Sequence, residues 1–169
     1  MKKFTNRLEL YQFFETQRRH GYAVEVGVKE GWNAKNILER YNGHLFLVDI
    51  WQNPAEFKHA FNLLFEYYGR VSFLQMSSEN AAYFLRDYEF DFVYIDAGHN
   101  YDDISQDIDL WLSKPSLING YLSGHDYSPE FPGVIKAVDE CRRWYDVQLT
   151  DGDIYEGVAF ESWYFKVSN

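Results

Sequence analysis

The stretch Ala23-Val24-Glu25-Val26-Gly27-Val28-Lys29-Glu30-Gly31 constrains this chain more than any other. Tyr22 to Val26 is a short apolar run, too short for a helix, and predicts a buried strand. Gly27 ends it, and from Asn33 apolar residues recur at Ala34, Ile37, Leu38 and Tyr41, the spacing of one helix face. A strand, a glycine-bearing turn and a helix place backbone N–H groups and a positive helix end at a crevice where a ligand can sit. Glycines there let a ligand approach with no Cβ in the way, although an ordinary strand-to-helix turn would carry them too.

The residues beside the glycines narrow the choice. The dinucleotide fingerprint G-x-G-x-x-G is absent, since only Gly27 and Gly31 are present. Glu25 stands at the strand's end, where a carboxylate repels a pyrophosphate and welcomes a sulfonium or an amino-acid ammonium. The run resembles the E-x-G-x-x-x-G first motif of class I S-adenosylmethionine-dependent methyltransferases.

Four more strand–helix units follow, after a first helix that Thr5 can cap and that ends near Arg18 to Gly21. The expected strands are His44 to Ile50, Val71 to Gln75, Phe90 to Ile95 and Leu117 to Ser123. Their helices open near Pro54, at Ser77 or Ser78, near Asp103 and at Pro132. Val147 to Thr150 and Val158 to Val167 read as two closing strands. The expected fold is therefore α/β: a three-layer, Rossmann-like sandwich around a seven-stranded, mostly parallel sheet with one antiparallel edge strand. At 169 residues one domain is the simplest organisation, with an N-terminal helix over 1–21 and a cofactor-binding core over 22–169.

Charge and cysteine count limit the partners. A net charge of −10 argues against a nucleic-acid backbone and equally against an anionic membrane. Cys141 is alone, so neither an intramolecular disulfide nor a zinc framework exists, and its place on the inner face of a helix suits packing. Met1-Lys2-Lys3 leads into a mixed polar segment, so a cytoplasmic protein is expected, with homodimer formation left open. Aromatic residues make up 20% of the chain, enough to fill a core and also line a pocket.

In such sheets ligands bind at the carboxyl ends of the strands. Those ends here carry Glu25, Asp49, Ser77-Ser78, Asp96 with His99, and His125-Asp126. Asp49 follows the glycine turn by about 20 residues, the distance at which an acid reaches ribose hydroxyls. Trp51 could lie on an adenine face or belong to the core. Ser77 and Ser78 could read the adenine edge or simply cap a helix. Asp96, His99, His125 and Asp126 offer acid–base groups near neutral pH or ligands for a divalent metal, magnesium by the carboxylates and manganese, iron or zinc with an imidazole added.

The runs Ile95-Asp96-Ala97-Gly98-His99-Asn100-Tyr101 and Gly124-His125-Asp126-Tyr127, followed by Pro132-Gly133-Val134, are similar to one branch of class I methyltransferases, the macrocin-type O-methyltransferases and cephalosporin-hydroxylase-like proteins. The resemblance implies S-adenosylmethionine held by Glu25, Gly27, Asp49 and Ser78, and an acceptor hydroxyl near Asp96 and Asp126. The branch binds magnesium through an adjacent acidic pair, here replaced by His125-Asp126. The expectation is O-methylation of a small molecule such as a sugar or polyol. Asp96, His99 and His125 are the catalytic candidates, and Glu25, Gly27, Gly31, Asp49, Trp51, Ser77, Ser78 and Asp96 the cofactor site. Asp96, Asp126 and His125 are candidate ligands for magnesium or manganese, and Tyr101 and Tyr127 candidate walls of the acceptor pocket. A metal-dependent hydrolase on the Asp96, His99, His125 and Asp126 cluster, or a non-catalytic S-adenosylmethionine-binding protein, are the alternatives.

Overall fold

A computed structural model describes residues 3–155 and 157–168; Met1 and Lys2 of the opening segment lie outside the described residues. The elements run α1 (Arg7–Gln17), β1 (Tyr22–Val26), α2 (Trp32–Leu38), β2 (His44–Asp49), α3 (Pro54–Leu63), β3 (Val71–Gln75), α4 (Ser78–Phe84) and β4 (Phe92–Ile95). They continue with α5 (Tyr101–Trp111), β5 (Tyr121–Tyr127), α6 (Pro132–Cys141), β6 (Gln148–Leu149), β7 (Asp153–Tyr155) and β8 (Val158–Lys166).

One sheet joins the strands in the order β3-β2-β1-β4-β5-β8-β6, with β7 paired to β8. The first five are parallel, and β8 runs antiparallel to β5, β6 and β7. The expected α/β sandwich is present, with eight strands among the described residues where the sequence suggests seven. The extra one is β7, which forms because Asp153–Tyr155 folds back on Val158–Phe160 as a hairpin. The single reversed strand also becomes an antiparallel group, with β8 inside the sheet and β6 at its edge.

Alternation along the strands builds two cores. Val24, Phe46, Val93 and Leu122 face α4, α5 and α6, where Ala81, Ile108, Trp111 and Val138 meet them. Ala23, Leu45, Leu47, Phe92 and Tyr94 face α1, α2 and α3, against Leu10, Phe14, Ile37 and Leu38. Full burial of a side chain of this size contributes about 1.5–3 kcal/mol, so these faces hold the layers together. Cys141 is half-buried beside the first core, and burial pushes its thiol up to about 11.

Several boundaries differ from the sequence reading. Asn6, not Thr5, caps α1, its side chain accepting from the N–H groups of Leu8 and Glu9. Ser77 caps α4 as expected, whereas Asn100 caps α5, which starts at Tyr101, before Asp103. β5 begins at Tyr121, because a turn closed by the Gly120 N–H donating to Ser116 O leaves Leu117 and Ile118 exposed. The strand then runs on through His125 and Asp126. Among the described residues, no helix is long and apolar enough to cross a membrane.

Candidate active site

The carboxyl ends of β1, β2 and β4 open onto a cleft of about 480 Å³ lined by Glu25, Gly27, Val28, Lys29, Asn33, Asp49, Met76, Ser78, Asp96 and His99, among others. Glu25, Asp49 and Asp96 fall on one parity of the sheet, the side covered by α1–α3, so register alone brings the three carboxyls together.

The turn after β1 differs from expectation in how its amides are used. The N–H groups of Val28 and Lys29 donate to Asp49 Oδ2 at 2.8 and 2.9 Å, and Trp51 N–H donates to Oδ1 at 2.7 Å. Gly27 N–H donates to Val48 O and Gly31 N–H to Val28 O. These backbone donors are satisfied within the protein, so polar recognition in the cleft falls on side-chain carboxyls. Gly27 has φ +86°, and a Cβ there would lie 2.1 Å from Asp96 O, so only glycine fits between the two strand ends. Gly31 begins α2 at φ 86°, where its Cα faces Ala60 of α3 and lies outside the cleft lining.

Glu25 is fully buried. Its Oε1 accepts from Asn33 Nδ2 at 2.9 Å, and Asn33 Oδ1 accepts from the Tyr11 hydroxyl at 2.8 Å. Oε2 has no partner. Burial pushes this carboxyl up to about 8, against the pull of the Asn33 bond. A buried acceptor left without a donor is costly, and a cationic group in the cleft would satisfy it.

Three other expected cofactor contacts are placed elsewhere or spent. Trp51 is buried in the α1–α3 core, its indole N–H donating to Lys29 O at 2.8 Å and its ring against Phe57. Ser77 caps α4 outside the cleft lining. Ser78 lines the cleft, but its hydroxyl donates to Asp107 Oδ1 at 2.5 Å and accepts from Trp111 Nε1.

Beyond the cleft, Asp126 holds both imidazoles: Oδ2 lies 2.7 Å from His99 Nε2 and Oδ1 lies 2.9 Å from His125 Nδ1. It does so from φ 61°, within the irregular part of β5 between Gly124 and Tyr127. The other non-glycine residues with positive φ among the described residues are Lys29 and Trp51, so the strained positions gather at these strand ends. Burial would raise the Asp126 carboxyl, yet the two imidazoles hold it well below the usual carboxylate range. His99 is raised by its bond to Asp126 and half-exposed, its ring stacked on Phe131 at 4.3 Å. His125 is opposed by burial but pushed up to about 9 by Asp126 and Asp153, so it carries its proton at neutral pH. Burial lifts Asp96 to about 6.

The oxygens of Asp96 and Asp126 and a ring nitrogen of His99 lie within 4.8 Å of one another. The sequence reading named His125 as the imidazole ligand, but its two nitrogens face Asp126 and Asp153. Tyr101 and Tyr127 turn away from the cleft, donating to Glu140 Oε2 and Asp139 Oδ1 of α6. Residues the sequence did not single out stand near the cluster instead. Arg7 of α1 pairs with Asp153 at 3.0 Å and reaches to 3.9 Å from Asp96, while Phe160 stacks near His125. Nothing local in the sequence marks Arg7, because α1 meets these strand ends only through the fold.

A parallel sheet closed by a reversed strand, with a carboxyl-lined cleft at its strand ends, is a doubly wound α/β architecture built to hold a ligand at those ends. The model of the family described as a methyltransferase domain matches residues 24–127, and the chain belongs to that family. Among solved structures it is similar to an rRNA methylase from Streptococcus thermophilus (12% identity, 94% and 93% of the two chains, TM-score 0.72). It is also similar to an O-methyltransferase from Bacillus cereus solved with S-adenosylhomocysteine (12%, 95% and 80%, TM-score 0.72). A third is the N-methyltransferase NodS from Bradyrhizobium japonicum (12%, 96% and 95%, TM-score 0.63). No curated protein matches the chain. These neighbours share the fold and differ in acceptor, so the acceptor has to be argued from the site.

Proposed function

We propose that this enzyme transfers the methyl group of S-adenosylmethionine to a hydroxyl of a small, uncharged molecule, a sugar or other polyol. The observation that carries the reading is the buried Glu25 carboxyl with an unpartnered Oε2 in the same cleft as Asp49 and His99. Glu25 pairs with the ammonium of the methionine part. The acceptor position left on Oδ1 of Asp49, which receives one N–H where Oδ2 receives two, takes a ribose hydroxyl. When bound, the cofactor supplies an electrophilic sulfonium methyl. His99 takes the proton of the acceptor hydroxyl, and Asp126 holds the ring and stabilises the imidazolium. His125, already protonated at neutral pH, serves as a fixed charge, which leaves His99 as the base.

The net charge of −10 and the acid-rich cluster favour an uncharged acceptor over RNA. The two histidine–aspartate runs support the macrocin-type branch. The clustering of Asp96, His99 and Asp126 favours a second reading of the same centre, in which these residues hold a divalent cation that orients the acceptor oxygen. Such a cation would take Asp126 from an imidazole. Calorimetric titration with S-adenosylmethionine and then S-adenosylhomocysteine, followed by methyl transfer to a panel of polyols and RNA, tests the proposal. Failure to bind either ligand, or transfer to RNA alone, overturns it.

A further inference from the structure

The hydrogen bonds that reach Glu25 begin in α1, an element that stands outside the cleft lining. Tyr11 is fully buried, its ring edge-on to Tyr94 at 5.4 Å and stacked on Phe92 at 6.4 Å. Packing on these rings fixes where its hydroxyl sits. Burial drives the Tyr11 pKa well up, so the hydroxyl keeps its proton, and Asn33 Oδ1 accepts it at 2.8 Å.

A side-chain amide has one accepting end and one donating end. With Oδ1 taken by Tyr11, Nδ2 is the end that faces Glu25, donating to Oε1 at 2.9 Å. Turned the other way, Asn33 would set Oδ1 against Glu25, repelling the anion and accepting from the protonated acid. It would also take from the buried Tyr11 hydroxyl the acceptor it now uses, which is costly. Among the described residues Asn33 is the one hydrogen-bond partner of the Glu25 carboxyl, and Oε2 stays open.

We propose that Tyr11 is a positioning residue for the cofactor: its hydroxyl locks the Asn33 amide as a donor to Glu25, which keeps Glu25 ready to pair with the ammonium through Oε2. This rests on the reading of Glu25 as the ammonium's partner and adds the device that keeps its carboxyl in the binding form. A donor on Oε1 favours the anion, and it is the anion that makes a charge-assisted bond to an ammonium. The charged groups around Glu25 act on its charge and not on the direction of the amide. Arg7 of α1 favours the anion, while Asp49 at the end of β2 and Asp96 just past β4 oppose it. Tyr94, its neighbour in register on β4, stays protonated, as Tyr11 does.

Calorimetric titration with S-adenosylmethionine, at pH values on either side of the Glu25 value of about 8, gives the test. The proteins compared are wild type, Tyr11→Phe, Asn33→Ala and the double variant. Tyr11→Phe keeps the ring and should bind about tenfold more weakly below that value, the loss of one hydrogen bond to a charged group, and approach wild type above it. Any titration of the ligand itself cancels in the ratio of the two affinities. Asn33→Ala, at a partly exposed position, should show the same deficit and serves if the phenylalanine variant fails to fold. The double variant should bind little more weakly than either single one, because the two groups act in one chain. In the ligand-free proteins, the Glu25 carboxyl carbon followed by NMR should titrate higher in Tyr11→Phe than in wild type. A deficit equal at every pH, or two changes that simply add, would make Tyr11 a packing residue and overturns the inference. A wild type that binds neither S-adenosylmethionine nor S-adenosylhomocysteine fails earlier, at the function itself, and takes the inference with it.

Discussion

His99 Nε2 lies 2.7 Å from Asp126 Oδ2, and the same carboxylate meets His125 Nδ1 at 2.9 Å through its other oxygen. One aspartate thus orients two imidazoles of unequal character. His125 is enclosed and held charged up to about 9, while His99 is half-exposed and borders the cofactor cleft. This inequality separates a fixed charge from a group able to exchange its proton during turnover.

His99→Ala should lower kcat by about 10²–10⁴, the usual contribution of a positioned general base, with S-adenosylmethionine affinity little changed. Asp126 raises the His99 pKa, so wild-type activity should fall as pH drops through a value above the ordinary 6.5 of histidine. Asp126→Asn removes the negative charge and should move that limb to lower pH while reducing kcat. A pH–rate profile of both proteins checks this. An acid limb that stays in place in the Asp126 variant sinks the assignment.

The layers and the parallel sheet were legible because burial on both faces writes near-continuous apolar runs, and helix periodicity separates them. The site was legible only as far as strand ends. Glu25, Asp49, Asp96, His99 and the His125-Asp126 pair all stand there, but direction was not readable. Trp51 turned into the core, and Tyr101 and Tyr127 turned to carboxylates of α6. Arg7, Asp153 and Phe160 join the cluster through contacts between α1, the β7–β8 hairpin and β5, which no sequence spacing announces. Asp91 shows the converse. It sits in the run that ends at Asp96, yet at the opposite end of the strand, where it accepts from the N–H groups of Arg19, His20 and Gly21.

Asp49 has two tasks that mutation can separate. Asp49→Ala should weaken S-adenosylmethionine binding by about 1.5–3 kcal/mol and also loosen the turn, since three backbone N–H groups lose their acceptor. Asp49→Asn keeps one carbonyl acceptor and should recover part of the stability but less of the affinity. Calorimetry with thermal unfolding of both variants decides it; unchanged affinity in a folded alanine variant removes Asp49 from the cofactor site.

A divalent cation at Asp96, His99 and Asp126 must displace the His99–Asp126 hydrogen bond, so its binding should release a proton and weaken as pH falls. One imidazole in the donor set favours manganese over magnesium. Manganese titration in two buffers of different ionisation heat measures both effects. Full turnover by chelator-treated protein that binds no manganese would leave the centre as an acid–base site.

Glu25 gives the sharpest dependence on pH. Its carboxyl titrates near 4.5 when unfolded and near 8 in the folded protein, because burial disfavours the anion. Below 4.5 both states hold the proton and Glu25 contributes nothing to the difference. Between 4.5 and 8 the unfolded chain has released the proton and the folded chain has not, so stability falls with rising pH until the folded form ionises. At about 1.4 kcal/mol per pH decade the ceiling on this loss is roughly 5 kcal/mol. Glu25→Gln cannot ionise in either state, so the ligand-free variant should be the more stable protein at pH 8 and equal to wild type near pH 4. The same change should weaken S-adenosylmethionine, whose ammonium would stabilise the Glu25 anion. Wild-type affinity should therefore rise with pH toward 8, and the variant's should not. Denaturant unfolding across that range, with calorimetry at its ends, reads both slopes, and a variant less stable than wild type at pH 8 would show that Glu25 is paired and ionised in the folded protein.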